Sequence, residues 1–147
     1  MKNHIAFKCS IAVSFLLTVF PAFSQTPRAY ITNYNDSTIS VIDLNQVEKI
    51  ADVVTGKNPH GVDVSPDGNT VAVSNEGSNT VSVINAATNK VVKNIKVGSH
   101  PHQLAFSRDN KKLFVTVNAD NALTIINTTD WKVDTTFIVG RNPHIVM

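Results

Sequence analysis

Cysteine is almost absent from this sequence: Cys9 is the one cysteine in 147 residues. A lone thiol excludes disulfide staples and the paired-cysteine metal sites of small exported domains. Charge is also sparse, at 16% of residues, and nearly balanced, with 13 Lys+Arg against 11 Asp+Glu. A balanced chain lacks the basic footprint of a nucleic-acid or anionic-lipid binder. No apolar run reaches the about 20 residues that a membrane helix needs, so no membrane span is expected. The sequence has no phosphate-binding glycine loop, no His-Glu-x-x-His zinc helix and no serine nucleophile elbow. Hydrolase readings therefore find little support.

What is present begins with a distinct leader. Lys2 and Lys8 precede the apolar run Cys9 to Phe20 (CSIAVSFLLTVF), and Ala22 and Ser24 stand at positions −3 and −1 of a cut before Gln25. This is the three-part layout of a secretory signal peptide, so residues 1–24 are expected to be removed. Cleavage takes away Cys9, and with it any thiolate metal site or cysteine nucleophile. It also takes away Lys2 and Lys8, leaving eleven residues of each charge. Phe7-Lys8 before Cys9 does not fit a lipidated cysteine. The expectation is a soluble periplasmic or secreted protein, with residues 25–147 as one domain.

That domain is repetitive. Gly56, Gly98 and Gly140 are 42 residues apart, and Pro59, Pro101 and Pro143 keep the step, as do His60, His102 and His144. The runs Thr38-Ile-Ser-Val-Ile-Asp43, Thr80-Val-Ser-Val-Ile-Asn85 and Ala122-Leu-Thr-Ile-Ile-Asn127 obey it too, and Ser65-Pro66-Asp67-Gly68 recurs as Ser107-Arg108-Asp109-Asn110. Repeats fall at about 29–70, 71–112 and 113–147. In the middle unit, strands are expected over Gly61 to Ser65, Thr70 to Asn75, Thr80 to Asn85 and Lys90 to Val97. Val and Ile alternate there with Ser, Thr and Asn, and turn residues break the runs. No stretch of the mature chain has a helical period. Four strands per unit of this length is β-propeller arithmetic: an all-β fold of four-stranded antiparallel blades.

Tyr30-Ile31-Thr32-Asn33, followed by Thr38 to Asp43, a Gly-x-x-Pro loop and Ser65-Pro66-Asp67-Gly68, resembles the YVTN-type β-propeller repeat of exported bacterial and archaeal proteins. The resemblance covers Tyr30 to Met147. Ala72-Val73-Ser74-Asn75 and Phe114-Val115-Thr116-Val117 carry weaker copies, and the Gly-His and Trp-Asp marks of WD40 repeats are missing. The resemblance implies a propeller. Its relatives include binding proteins, surface-layer components and propeller parts of redox enzymes, so it leaves function open.

The ring is expected to be incomplete. The chain opens on the second strand of one blade and stops at Pro143-His144-Ile145-Val146-Met147, inside the first strand of another, just under three blades. Propellers usually have 4–8 blades. Either the sequence is a fragment, the preferred reading, or copies self-associate to close the ring.

The candidate ligand-binding residues lie in the loops that enter the innermost strands: His60, His100, His102, His144, Lys57 and Arg141. Rotational repetition puts His60, His102 and His144 at equal radius around the axis, where imidazoles can ligate a transition metal or receive an anion. The plainer reading is that Pro-His fixes strand entry and that each His Nδ1 bonds a carbonyl. That reading is preferred, because a repeat copies its structural residues along with everything else; separation of the rings by neighbouring blades is a further argument against one shared metal. Asp63 is the one acid expected to face the channel, in the preferred reading as a solvated residue and in the alternative as an acid–base partner of His60. Asp67 and Asp109 are expected to cap turns, and Asp43 to act through hydrogen bonding, since Asn85 and Asn127 replace it. Trp131 is either a partner contact or a packing residue over Lys132. Asn35 and Asn127 match the glycosylation acceptor pattern, a weak signal. No cofactor is expected. The functional expectation is a binding module for a small molecule or protein. The alternative is the propeller part of a periplasmic redox enzyme, or a lyase or lactonase, with its site at the channel mouth.

Overall fold

The computed structural model describes residues 26–147; the expected leader, residues 1–24, lies outside them. Eleven strands form three antiparallel sheets. The first sheet holds β1 (Arg28–Asn33), β2 (Thr38–Asp43) and β3 (Glu48–Val54). The second holds β4 (Pro59–Val64), β5 (Thr70–Asn75), β6 (Thr80–Asn85) and β7 (Lys90–Lys96), and the third holds β8 (Pro101–Phe106), β9 (Lys112–Val117), β10 (Ala122–Asn127) and β11 (Lys132–Ile138). Each sheet is a meander in sequence order. β4 packs on both β1 and β8, whereas the outer strands β3 and β7 touch far less, so first strands gather at the axis as expected. The fold is therefore an incomplete β-propeller. The sequence repeats straddle the blades: each carries strands two to four of one sheet and strand one of the next.

The bounds of β5 and β6 are those expected. β4 begins at Pro59 rather than Gly61, because Pro59 pairs with Asn75 across a register shift before Val62. The single helical element among the described residues is the 3₁₀ turn Glu76–Ser78.

The turns explain the sequence step. In the β4–β5 turn, Ser65 donates to Asp67 Oδ1 at 2.6 Å, and the same oxygen accepts from Asn69 N. Ser107 and Asp109 repeat this one unit later, with Lys111 N as the second donor. Both carboxyls are held below the usual Asp range by these bonds. Asp43, Asn85 and Asn127 each accept from the main chain of the following turn, so the position needs an acceptor and not a charge. Three further positions have positive φ in every unit: Ser37, Asn79 and Asn121; Val47, Asn89 and Trp131; Asn58, His100 and Asn142. Asparagine tolerates this region best among residues with a side chain.

The core lies between blades. Ile39, Val41 and Val53 meet Val71, Val73, Ile84 and Ala86 between the first and second sheets. Ala72, Val81, Val83, Ile95 and Val97 meet Leu104, Leu113, Val115 and Ile126 between the second and third. Alternation in the middle blade thus sends side chains to two apolar interfaces, not to core and solvent. Burying one Val or Ile stabilises by roughly 1.5–3 kcal/mol, so each interface is a strong link. The outer face of the first blade has no such cover: Ile31 is 45% exposed, whereas Val73 and Val115, its equivalents, are 0%.

Candidate functional site

One hydroxyl per blade stitches the axis together. Thr32 Oγ1 donates to the carbonyl oxygen of His60 at 3.1 Å, and Thr116 Oγ1 to that of His144 at 3.1 Å. Ser74 Oγ makes the same bond to the carbonyl of His102 and accepts from Gly61 N at 2.8 Å. These positions follow the 42-residue step, so the second strand of each blade holds the first strand of the next. Pro143–Met147 forms no strand, yet Thr116 and Asn118 hold its carbonyls in the place that β8 takes against β5.

Because the main chain carries this structural task, the imidazoles are free of it. The rings of His60 and His102 are 4.2 Å apart, those of His102 and His144 4.2 Å apart, and those of His60 and His144 6.3 Å apart. This corrects the expectation that neighbouring blades separate them. Gly61 makes the approach possible: a Cβ there would stand 2.5 Å from the His102 carbonyl oxygen and 3.1 Å from Gln103 Cα. The expected Nδ1-to-carbonyl bond is also missing at His102, whose Nδ1 is shielded from solvent and has no partner. Burial holds the His102 imidazole below its ordinary titration range. His60, His144 and His100 push the same way, and Glu76 opposes them.

Glu76 completes the cluster and was not among the expected site residues. One ligand atom from each of His60, Glu76 and His102 lies within 4.8 Å of the other two. Two bonds, from Glu76 N to the Asn58 carbonyl and from Gly77 N to the Lys57 carbonyl, pin the turn carrying Glu76 onto the loop before His60. His100 Nδ1 is 3.5 Å from Glu76 Oε1. The Tyr34 phenol lies against the same carboxylate, its pKa raised by burial and by the Glu76 charge and hydrogen bond. His100 occupies the positive-φ position where the other units have Asn58 and Asn142. The signal that could have found Glu76 is strand pairing: β4 and β5 are antiparallel with Pro59 opposite Asn75, which puts Glu76 opposite Asn58, two residues before His60.

The other candidates stand apart. Asp63 does not pair with His60. Its Oδ2 accepts from Phe106 N in the third blade at 2.8 Å and its Oδ1 from Val64 N, making it a link between blades. Lys57 and Arg141 are exposed. Arg141 lines a cleft with Pro143 and Ile145, away from the three-group cluster. Trp131 packs edge-on against Phe106 at the margin of the core. A larger cleft, about 540 Å³, opens at the other end of β4, between Thr26, Arg28, Tyr30, Val64 and Ala86. No cluster of potential metal ligands lies there among the described residues.

Fold and site together define a β-propeller in which the innermost strands bring imidazoles, and the turn after β5 a carboxylate, to one mouth of the axis. The model of the YNCE-like beta-propeller family matches residues 5–142, and the chain belongs to that family. Among solved structures, hydrazine synthase of Kuenenia stuttgartiensis is similar with TM-score 0.77 and 25% identity, over 79% of this chain and 34% of that one. The dihydro-heme d1 dehydrogenase NirN, solved in complex with DHE, gives 0.66 and 22%, over 74% of this chain and 23% of that one. Apo AztD from Citrobacter koseri gives 0.64 and 15%, over 74% and 31%. This chain therefore spans about a third or less of the length of these proteins. No curated protein matches the sequence.

Proposed function

We propose that this chain is part of a longer, exported β-propeller that acts as a binding module and takes its ligand at the axial mouth formed by His60, His102 and His144. One observation carries the reading: three imidazoles in mutual contact, freed from structural bonding because their backbone carbonyls are stitched instead. The bare Ile31 position supports a further blade packing there, as the first blade packs on Val73. The motif Tyr30-Ile31-Thr32-Asn33 and its copies support YVTN-type repeats, and the leader supports a periplasmic or secreted location. The balanced charge argues against nucleic acid as the partner. Small molecules and proteins both fit an open mouth, and self-association is the alternative route to a closed ring.

The second reading is the propeller part of a periplasmic redox enzyme, or a lyase or lactonase. Glu76 beside two imidazoles favours it, since such a group can move protons.

The test is to follow the histidine ring resonances of the full chain, in EDTA, during titration with inorganic phosphate, small dicarboxylates, nitrogen heterocycles and simple lactones. Saturable shifts at His60, His102 and His144 are expected. Consumption of a lactone would favour the enzyme. Shifts confined to other faces, or none, would overturn the binding reading. Export is checked by the mass of the chain recovered from the periplasm or medium, expected to begin at Gln25.

A further inference from the structure

We propose that His60, Glu76 and His102 form a binding site for a divalent first-row transition metal ion of the Zn²⁺, Ni²⁺ or Cu²⁺ kind. The inference rests on reading the axial mouth as the ligand site, and it names the ligand class. Two imidazole nitrogens and a carboxylate oxygen lie within 4.8 Å of one another. Donors on a tetrahedral ion at 2.0–2.1 Å sit about 3.3 Å apart, so the three side chains would draw together to share one ion.

The chemistry of the donors selects the metal. Imidazole with carboxylate suits Zn²⁺, Cu²⁺ and Ni²⁺, whereas Ca²⁺ and Mg²⁺ require oxygen-rich cages. A second observation points the same way: His102 Nδ1 is shielded and has no hydrogen-bond partner, which is costly for a polar atom unless a ligand satisfies it.

The supports of the three ligands are built in. Thr32 and Ser74 fix the main chain at His60 and His102, and the Asn58 carbonyl fixes the turn of Glu76. His100 and Tyr34 flank the Glu76 carboxylate and orient it, as outer groups commonly do for metal ligands. Three protein ligands would leave a tetrahedral ion one open coordination position, and the His144 ring, edge-on to His102, stands next to the cluster. A set of three protein ligands with one open position is the pattern of sites that take water or another ligand on the ion, not of closed structural sites.

The test is calorimetric titration of the tag-free, EDTA-stripped full chain with Zn²⁺ and Ni²⁺, together with the visible spectrum of the Co²⁺ form. One equivalent is expected to bind at micromolar affinity or tighter. Glu76→Gln and His102→Gln should each weaken binding at least about tenfold and alter the Co²⁺ band. Glu48→Gln, on an outer strand, should bind as the wild type does. Circular dichroism in EDTA checks folding. If His102→Gln fails to fold, Glu76→Gln, on a turn outside the sheets, decides alone. Absence of a bound equivalent, equal affinity in the variants, or equal competition by Mg²⁺ would overturn the site. Ring shifts with organic probes in EDTA but no metal uptake overturn this inference alone and leave the binding module standing.

Discussion

Thr32 donates its hydroxyl proton to the carbonyl oxygen of His60, 28 residues further along and in the next blade. Ser74 and Thr116 do the same for His102 and His144. The bond explains why a small hydroxyl residue recurs where the second strand faces the axis. It also explains how imidazoles recur there without being consumed by the fold. Three predictions follow from the geometry around it, and a fourth from the turns.

Ser74→Ala removes a buried hydroxyl that serves Gly61 N and the His102 carbonyl at once. Leaving those groups unpaired should cost about 1–3 kcal/mol by urea denaturation. Ser74→Thr restores the residue type of the other two blades and should recover most of the loss. Thr32→Ala, at an exposed copy of the bond, should cost less.

Gly61→Ala places a methyl group 2.5 Å from the His102 carbonyl. The two first strands must then part, at about 1–3 kcal/mol for overpacking. The nuclear Overhauser contacts between the His60 and His102 rings should weaken in parallel. Unchanged ring contacts would show that Gly61 does not set the spacing.

Acid should destabilise the fold through His102. The folded value lies below the ordinary 6.5, so the unfolded chain takes up this proton first on acidification. Stability is therefore full above the ordinary value and declines as pH falls through it toward the folded value. The neighbouring His60, His144 and His100 lower the His102 value further, and Glu76 offsets part of this. Melting temperatures between about pH 8 and about pH 5.5 should fall, and fall less in His102→Gln.

Val47 has φ 55° and is 81% exposed, a costly place for a β-branched residue. Asn89 holds the same position in the next unit at φ 54°. Val47→Asn should stabilise by about 1 kcal/mol in thermal or urea unfolding. Trp131, at the third copy, should behave oppositely on change to Asn, since it packs on Phe106 and the core.

The sequence by itself determined the strands, their order within a blade and the turn chemistry. A 42-residue step repeats every local requirement: an acceptor at Asp43, Asn85 and Asn127, a cap at Asp67 and Asp109, and an asparagine-tolerant backbone at Asn58, Asn79 and Asn121. Local conformation depends on local residues, so repetition makes it legible. The site was legible only in outline, as a set of recurring histidines. Tertiary structure alone decided that their rings touch, because that spacing depends on how far the absence of a side chain at Gly61 lets β4 sink against β8. Tertiary structure also brought Glu76 into the cluster and turned Asp63 away to Phe106 N. Both outcomes depend on contacts between chain segments that only packing brings together.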